Sequence, residues 1–142
     1  MDFSHKNVLV VGVGISGNAV AKVAKMQGAD KVVLSDAKAE QDLKYDLTDV
    51  RATGVELVFG PQENTLLDNV DMVILSPAVP VRIPLVQEAY KREIPVVSEV
   101  QVAYELAKSP ILAVTGTNGK TTTVTLLEEL MMTRYPDAGV GG

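Results

Sequence analysis

Short runs of branched apolar residues recur along this chain, and they constrain its fold more than any other feature. The runs are continuous rather than alternating, which is typical of strands covered on both faces. They occupy residues 7–12, 31–36, 55–60, 71–77, 94–99 and 110–116. Segments with helical spacing of apolar residues follow several of them, at 16–27, 84–93, 100–108 and 121–134. Alternating strands and helices predict right-handed βαβ units and an α/β fold with a doubly wound parallel sheet.

The pattern divides near Lys108, which predicts two domains. Five predicted strands precede this point, enough for a complete nucleotide-binding domain at residues 1–109. Residues 110–142 contain only one predicted strand, one glycine-rich loop and one helix. Because one strand and one helix cannot bury an apolar face by themselves, we expect residues 110–142 to begin a second α/β domain. The chain is therefore expected to be a fragment. The segment 37–54 is charged, and we expect a loop and a short helix there.

Composition argues against several classes of function. The 142 residues carry a net charge of −5, which disfavours general binding to nucleic acid or to anionic membranes. The chain has no cysteine, so disulfides and thiolate metal sites are excluded. No apolar run approaches the ~20 residues that span a bilayer, and the N-terminus lacks the features of a signal peptide. We expect a cytoplasmic protein without a membrane span.

Three glycines after the first predicted strand have the G-x-G-x-x-G spacing of a phosphate-binding turn. Gly12 permits a tight turn, Gly14 lets backbone approach a ligand, and Gly17 lets the helix pack closely on the strand. The helix N-terminus then presents N–H groups and a positive dipole to an anion. Asp36 ends the second strand, where dinucleotide enzymes carry the acid that binds ribose. This Rossmann-like loop alone favours NAD, although any nucleotide diphosphate suits the same chemistry.

A second glycine-rich loop, AVTGTNGKTTTV at residues 113–124, lies between the sixth predicted strand and the last helix. It contains Gly119-Lys120-Thr121, the end of a Walker-type loop. Glycine N–H groups converge on phosphate oxygens, lysine reaches the β- and γ-phosphates, and the threonine hydroxyl can bind Mg²⁺. The strict pattern has glycine at position 114, and here the glycine lies at 116 instead. The loop predicts an ATP and Mg²⁺ site, with Lys120 as catalytic residue and Thr121 as metal ligand.

The sequence GTNGKTT, at residues 116–122, resembles the ATP loop of the Mur ligases, which assemble the peptide of the bacterial cell wall. Other segments follow the same family in order, namely KNVLVVGVGISG, VVLSDAK, ILSPAVP and VVSEVQVAYELAKSPILAVTGTNGKTT. The similarity is greatest to the branch that adds D-glutamate to UDP-MurNAc-L-alanine. In that branch the first domain is Rossmann-like but binds a UDP-sugar peptide instead of NAD. The second domain is the ATPase, and a third receives the amino acid.

The resemblance implies two sets of binding residues. Those implied for UDP-MurNAc-L-alanine are Gly14, Ile15, Ser16 and Gly17 at the diphosphate, Asp36, Ala37 and Lys38 near the uracil, and Ser76, Pro77 and Ala78 near the diphosphate. Those implied for ATP are Gly116, Thr117, Asn118, Gly119, Lys120, Thr121 and Thr122. The family often has Ser-Pro-Gly where this chain has Ser-Pro-Ala, at residues 76–78.

For an intact protein, the resemblance implies that ATP and Mg²⁺ phosphorylate the carboxylate of the UDP substrate, giving an acyl-phosphate. The amine of D-glutamate then displaces phosphate and forms an amide. We expect the fragment itself to be inactive and monomeric, with small molecules and no nucleic acid as partners. Two alternatives remain open: the NAD(P)-binding domain of a dehydrogenase, which leaves the second loop without a purpose, and a nucleotide-sensing module without catalysis.

Overall fold

A computed structural model describes residues 1–140, and the first five predicted strands are all formed in it. The strands are β1 (Asn7–Val11), β2 (Lys31–Asp36), β3 (Glu56–Phe59), β4 (Met72–Leu75) and β5 (Val96–Ser98). The helices are α1 (Ile15–Met26), α2 (Thr48–Ala52), α3 (Pro84–Lys91), α4 (Glu99–Leu106) and α5 (Lys120–Met132), with 3₁₀ turns at Glu40–Asp42 and Asn64–Leu67. Within residues 1–140, no helix is long and apolar enough to span a membrane.

The five strands form one parallel sheet in the order β3-β2-β1-β4-β5. The central strand β1 pairs with β2 on one side and with β4 on the other. The chain therefore winds outward from β1 through β2 and β3, and then outward in the opposite direction through β4 and β5. The loops that follow β1 and β4 diverge at this switch point, which is where open α/β sheets bind their ligands.

Both faces of the sheet are covered, so the predicted doubly wound α/β fold is confirmed. Alternate residues of β1 enter opposite apolar clusters: Val8 and Val10 enter one, Leu9 and Val11 the other. Helices α1, α2 and α4 contribute to the first cluster, and α3 contributes to the second. Since successive strand side chains point to opposite faces, a strand between two apolar layers has to be apolar throughout. This explains why the runs are continuous.

The chain separates into two compact units, Met1–Ala107 and the residues from Lys108 onward. The second unit contains α5, but the strand predicted at 110–116 is not formed, and that prediction was wrong. A strand needs a neighbour to satisfy its N–H and C=O groups, and residues 108–140 contain no other strand. Gly141 and Gly142, the end of the predicted second domain, lie outside the described residues.

Candidate functional site

The loops at the carboxyl ends of β1, β2 and β4 enclose a cleft of about 500 Å³ at the switch point of the sheet. This volume lies within the range of small-molecule sites, roughly 300–1,000 Å³. The residues that line the cleft are Val11–Gly14, Asp36–Lys38, Asp42–Tyr45, Gln62, Ser76, Ala78–Pro80 and Ile83. A smaller hollow of about 210 Å³ lies at the other end of the sheet, around the start of β1 and β2. Of the two, only the larger adjoins the glycine turn.

Two glycines of the first turn are required by its shape. Gly12 has a φ of +103°, and a Cβ there would lie 2.6 Å from Cγ2 of Val79. At Gly17 a Cβ would lie 2.0 Å from the carbonyl oxygen of Gly12. No side chain can be added at that distance without moving backbone, so the start of α1 packs directly on the turn.

Gly14 differs from the other two glycines because the fold does not require it. Its backbone is extended, with a φ of −160°, a conformation open to any residue. A Cβ there would meet nothing closer than the hydroxyl oxygen of Tyr45 at 3.9 Å and that of Ser76 at 4.0 Å. Both oxygens belong to residues that line the cleft. The absent side chain of Gly14 therefore leaves space on the ligand side of the turn.

The N-terminus of α1 lies beside that space and has open hydrogen-bond donors. Gly14 is its N-cap, no side chain caps it, and its first turn has no acidic residue. The N–H groups of Ile15, Ser16 and Gly17 belong to the set that lacks intrahelical acceptors at a helix start. Together with the helix dipole, these groups favour an anion at this end of the cleft.

Asp36 connects the loops that follow β1 and β2. One oxygen of its carboxylate accepts a hydrogen bond from the N–H of Val13 at 2.8 Å, and the other accepts one from the N–H of Lys38 at 2.9 Å. Each oxygen keeps further lone-pair capacity, so a ligand contact remains compatible with this arrangement. The spacing of the motif predicted only a ligand role for Asp36. Its bridge between the two loops depends on the pairing of β1 with β2, which the motif does not encode.

The loop after β4 begins with a tight turn. The N–H of Val79 donates to the carbonyl oxygen of Ser76 at 3.0 Å, with Pro77 in the second position that proline favours. Ala78 does not have a positive φ, so an alanine fits this turn without strain. Ser76 is only 7% exposed.

Most residues predicted for the UDP substrate lie together in the structure. Those that line the cleft are Gly14, Asp36, Ala37, Lys38, Ser76 and Ala78. Ile15, Ser16 and Gly17 form the adjoining first turn of α1, while Pro77 is exposed on its turn and does not line the cleft. Sequence reasoning missed Gln62 and the wall at Asp42–Tyr45. The signals for that wall were a tyrosine and the apolar residues Leu43 and Leu47 within a largely charged and polar segment.

The second glycine-rich loop is exposed throughout residues 116–122. Gly119 caps the start of α5 in the left-handed conformation, with a φ of +75° and no side-chain cap. The ammonium group of Lys120 donates to the carbonyl oxygen of Gly116 at 2.6 Å. Open N–H groups and a nearby lysine suit the phosphates of ATP. Thr121 offers one hydroxyl for Mg²⁺, and residues 1–140 contain no cluster of three or more acidic, histidine or cysteine side chains to complete a metal site.

Comparison with known proteins gives the family. Residues 6–98 match the family model described as "Mur ligase MurD-like, N-terminal domain". UDP-N-acetylmuramoylalanine–D-glutamate ligases are similar: the one from Pelotomaculum thermopropionicum is 45% identical across 98% of this chain, and that from Caldicellulosiruptor bescii 44% across 100%. The chain spans only 30% and 31% of these relatives.

Solved structures agree with this assignment. The crystal structure of the UDP-N-acetylmuramate-alanine ligase MurC from Thermotoga maritima is 28% identical, with a TM-score of 0.56. The similarity covers 89% of this chain and 29% of that one. The match to the family model extends over more than half of the chain. The chain therefore belongs to the Mur ligases, in the family of their MurD-like N-terminal domain.

Proposed function

We propose that residues 1–109 form the UDP-MurNAc-L-alanine-binding domain of an ATP-dependent ligase that adds D-glutamate in peptidoglycan precursor synthesis. The observation that carries this proposal is the cleft of about 500 Å³ at the switch point, which adjoins an uncapped helix N-terminus. Relatives with 37–45% identity are named UDP-N-acetylmuramoylalanine–D-glutamate ligase, which supports the choice of substrate. No observation favours the dehydrogenase alternative.

In the proposed complex, the diphosphate of the substrate lies at the start of α1. The N–H groups of Ile15, Ser16 and Gly17 donate to its oxygens, and the missing side chain of Gly14 makes room for it. Asp36, Ala37 and Lys38, which lie at and after the end of the neighbouring strand β2 and line the cleft, border the uracil, as the resemblance to the Mur ligases implies. Ser76, Pro77 and Ala78 approach the diphosphate from the loop after β4.

The second loop, at residues 116–122, is proposed to bind the phosphates of ATP. Lys120 supplies positive charge where a phosphoryl group is transferred, and Thr121 supplies one ligand to Mg²⁺. ATP phosphorylates the substrate carboxylate to an acyl-phosphate, and the amine of D-glutamate displaces phosphate to form the amide. We expect residues 1–142 alone to be inactive, because residues 108–140 form no strand and residues 1–140 contain no cluster of three or more acidic, histidine or cysteine side chains. We propose a monomeric protein that works in the cytoplasm.

The ligand of the cleft can be tested by thermal unfolding with UDP, NADH or ATP added separately. A ligand at 100 times its Kd stabilises a protein by ~2.7 kcal/mol, enough for a clear rise in melting temperature. We expect UDP to raise the melting temperature and NADH to leave it unchanged. A rise with NADH and none with UDP would contradict the proposal and favour a dehydrogenase domain.

The catalytic part of the proposal can be tested on the longer protein that contains this chain. We expect release of ADP only when UDP-MurNAc-L-alanine and D-glutamate are both present. A Lys120→Ala variant of that protein should lose this activity and keep its affinity for the UDP substrate. UDP binding without any ADP release would support the alternative of a nucleotide-sensing module.

A further inference from the structure

Tyr45 is the one aromatic residue among the described residues that line the cleft. Aromatic side chains are scarce in this chain, which has four tyrosines, two phenylalanines and no tryptophan. Tyr45 is 44% exposed, so its ring is partly supported by protein and partly open to a ligand. The motifs of the sequence assign it no role.

The segment that carries Tyr45 is fixed on both sides. Two residues before it, Leu43 packs against the first apolar cluster, and two residues after it, Leu47 is 5% exposed. The next turn begins with a hydrogen bond from the N–H of Thr48 to the carboxylate of Asp46 at 2.9 Å. Because these anchors already order the backbone around Tyr45, a ligand contact there has less conformational entropy to overcome.

The hydroxyl of Tyr45 faces the space left by Gly14. The point where a Cβ of Gly14 would lie is 3.9 Å from the Tyr45 hydroxyl and 4.0 Å from the Ser76 hydroxyl. Two hydroxyls from different loops thus converge on one point directly before α1, whose open N–H groups favour an anion there. Hydroxyl groups can donate to phosphate oxygens, and hydrogen bonds to charged acceptors are stronger than neutral ones.

We propose that Tyr45 contacts the substrate and selects for its diphosphate, by donating a hydrogen bond from its hydroxyl to a diphosphate oxygen at the start of α1. This inference rests on the proposed function in one respect, namely that the cleft binds a nucleoside diphosphate. The inference adds Tyr45, from the loop after β2, to the residues proposed to bind the diphosphate, and places it on the wall of the cleft that faces Ser76. Binding then depends on one group that a phenylalanine lacks.

The test compares UDP with uridine on the full 142-residue chain and its Tyr45→Phe variant, by NMR titration. We expect the variant to bind UDP about tenfold more weakly, the effect of one lost hydrogen bond to a charged group. Its affinity for uridine, which has no phosphate, should stay within about twofold. Tyr90→Phe is the matched control, since Tyr90 lies on α3 outside the cleft and is 50% exposed. It should bind both ligands as the unchanged chain does.

The possible results of this titration distinguish a failure of the role proposed for Tyr45 from a failure of the proposed function. If the unchanged chain binds UDP and Tyr45→Phe binds it equally well, the role of Tyr45 is refuted while the proposed function stands. If Tyr45→Phe loses affinity for uridine and UDP to the same degree, its hydroxyl does not act on the diphosphate, and the inference is again refuted. If the unchanged chain fails to bind UDP, both are refuted.

Discussion

At the scale of single residues, three glycines with one spacing have separate tasks. Gly12 needs its positive φ, and Gly17 needs to lack a side chain because a backbone oxygen lies against it. Gly14 satisfies neither condition and instead leaves space in the cleft. The spacing predicted the tasks of Gly12 and Gly17 correctly, because they depend on local geometry that a strand, a turn and a helix impose wherever they follow one another. The approach of a ligand at Gly14 stays a prediction.

Gly14→Ala should therefore weaken ligand binding, whereas Gly17→Ala should lower the free energy of unfolding. Gly14→Ala should keep the free energy of unfolding within about 1 kcal/mol, because its backbone suits alanine, but should weaken UDP binding at least tenfold. Gly17→Ala should lower the free energy of unfolding by about 3 kcal/mol or more, since the new methyl meets backbone. Urea unfolding and UDP titration measure the two quantities. Normal UDP affinity in Gly14→Ala would contradict this reading of the turn.

Asp36→Asn tests whether the carboxylate joins the two loops. Asparagine has one oxygen, so its NH₂ group must face one of the two N–H donors, from Val13 or Lys38, that the carboxylate now accepts. We expect a loss of about 1–3 kcal/mol in the free energy of unfolding, measured without ligand. Asp42→Asn is the matched control, because Asp42 lines the same cleft and is exposed. Equal stability of both variants would show that the bridge contributes little.

At the scale of elements, strand prediction succeeded where a strand and its pairing partners belong to one unit. The apolar runs that became β1 to β5 pair with one another, and the spacing of apolar residues anticipated α1, α3, α4 and α5. The run at 110–116 is also rich in apolar residues, but residues 108–140 contain no strand with which it could pair. Strand formation depends on distant partners, so a local pattern could not distinguish these cases. The wall around Tyr45 depends on how a loop returns to the sheet, which no local pattern encodes.

The start of α2 gives a pH-dependent prediction. Hydrogen bonds from the side chain and the backbone of Thr48 lower the pKa of Asp46 below its ordinary value of 3.8. A lowered pKa in the folded state means that these bonds stabilise the fold above the ordinary value and are lost as pH falls through the folded pKa. We expect an NMR titration of the Asp46 carboxyl group to have its midpoint below 3.8, and Thr48→Val to move it upward. A midpoint unaffected by Thr48→Val would contradict the assigned cause.

At the scale of the whole molecule, the buried interior belongs to the first unit. Both apolar clusters and every residue lining the cleft lie within residues 1–107. None of residues 108–140 is buried, and Leu126 and Leu130 of α5 are 56% and 67% exposed. The first unit therefore contains both apolar clusters and the whole cleft, and we expect it to fold by itself.

A chain that ends after Ala107 should consequently behave like the 142-residue chain. We expect its melting temperature to change by no more than about 2 °C, because none of residues 108–140 is fully buried. Its UDP affinity should be unchanged within about twofold. Circular dichroism and UDP titration measure both. A large fall in melting temperature would show that residues 108–142 support the first unit, contrary to this division of the chain.

The reversal of winding at β1 has a consequence for how the cleft of this protein can evolve. Nearly all of the residues that line the cleft lie beyond the ends of strands, while the strands themselves fill the interior. Substitutions at these loop positions can therefore change the shape and charge of the cleft without repacking the strands beneath them. The glycine spacing depends on the turn between β1 and α1, so by itself it predicts a phosphate-binding turn and does not identify the rest of the ligand.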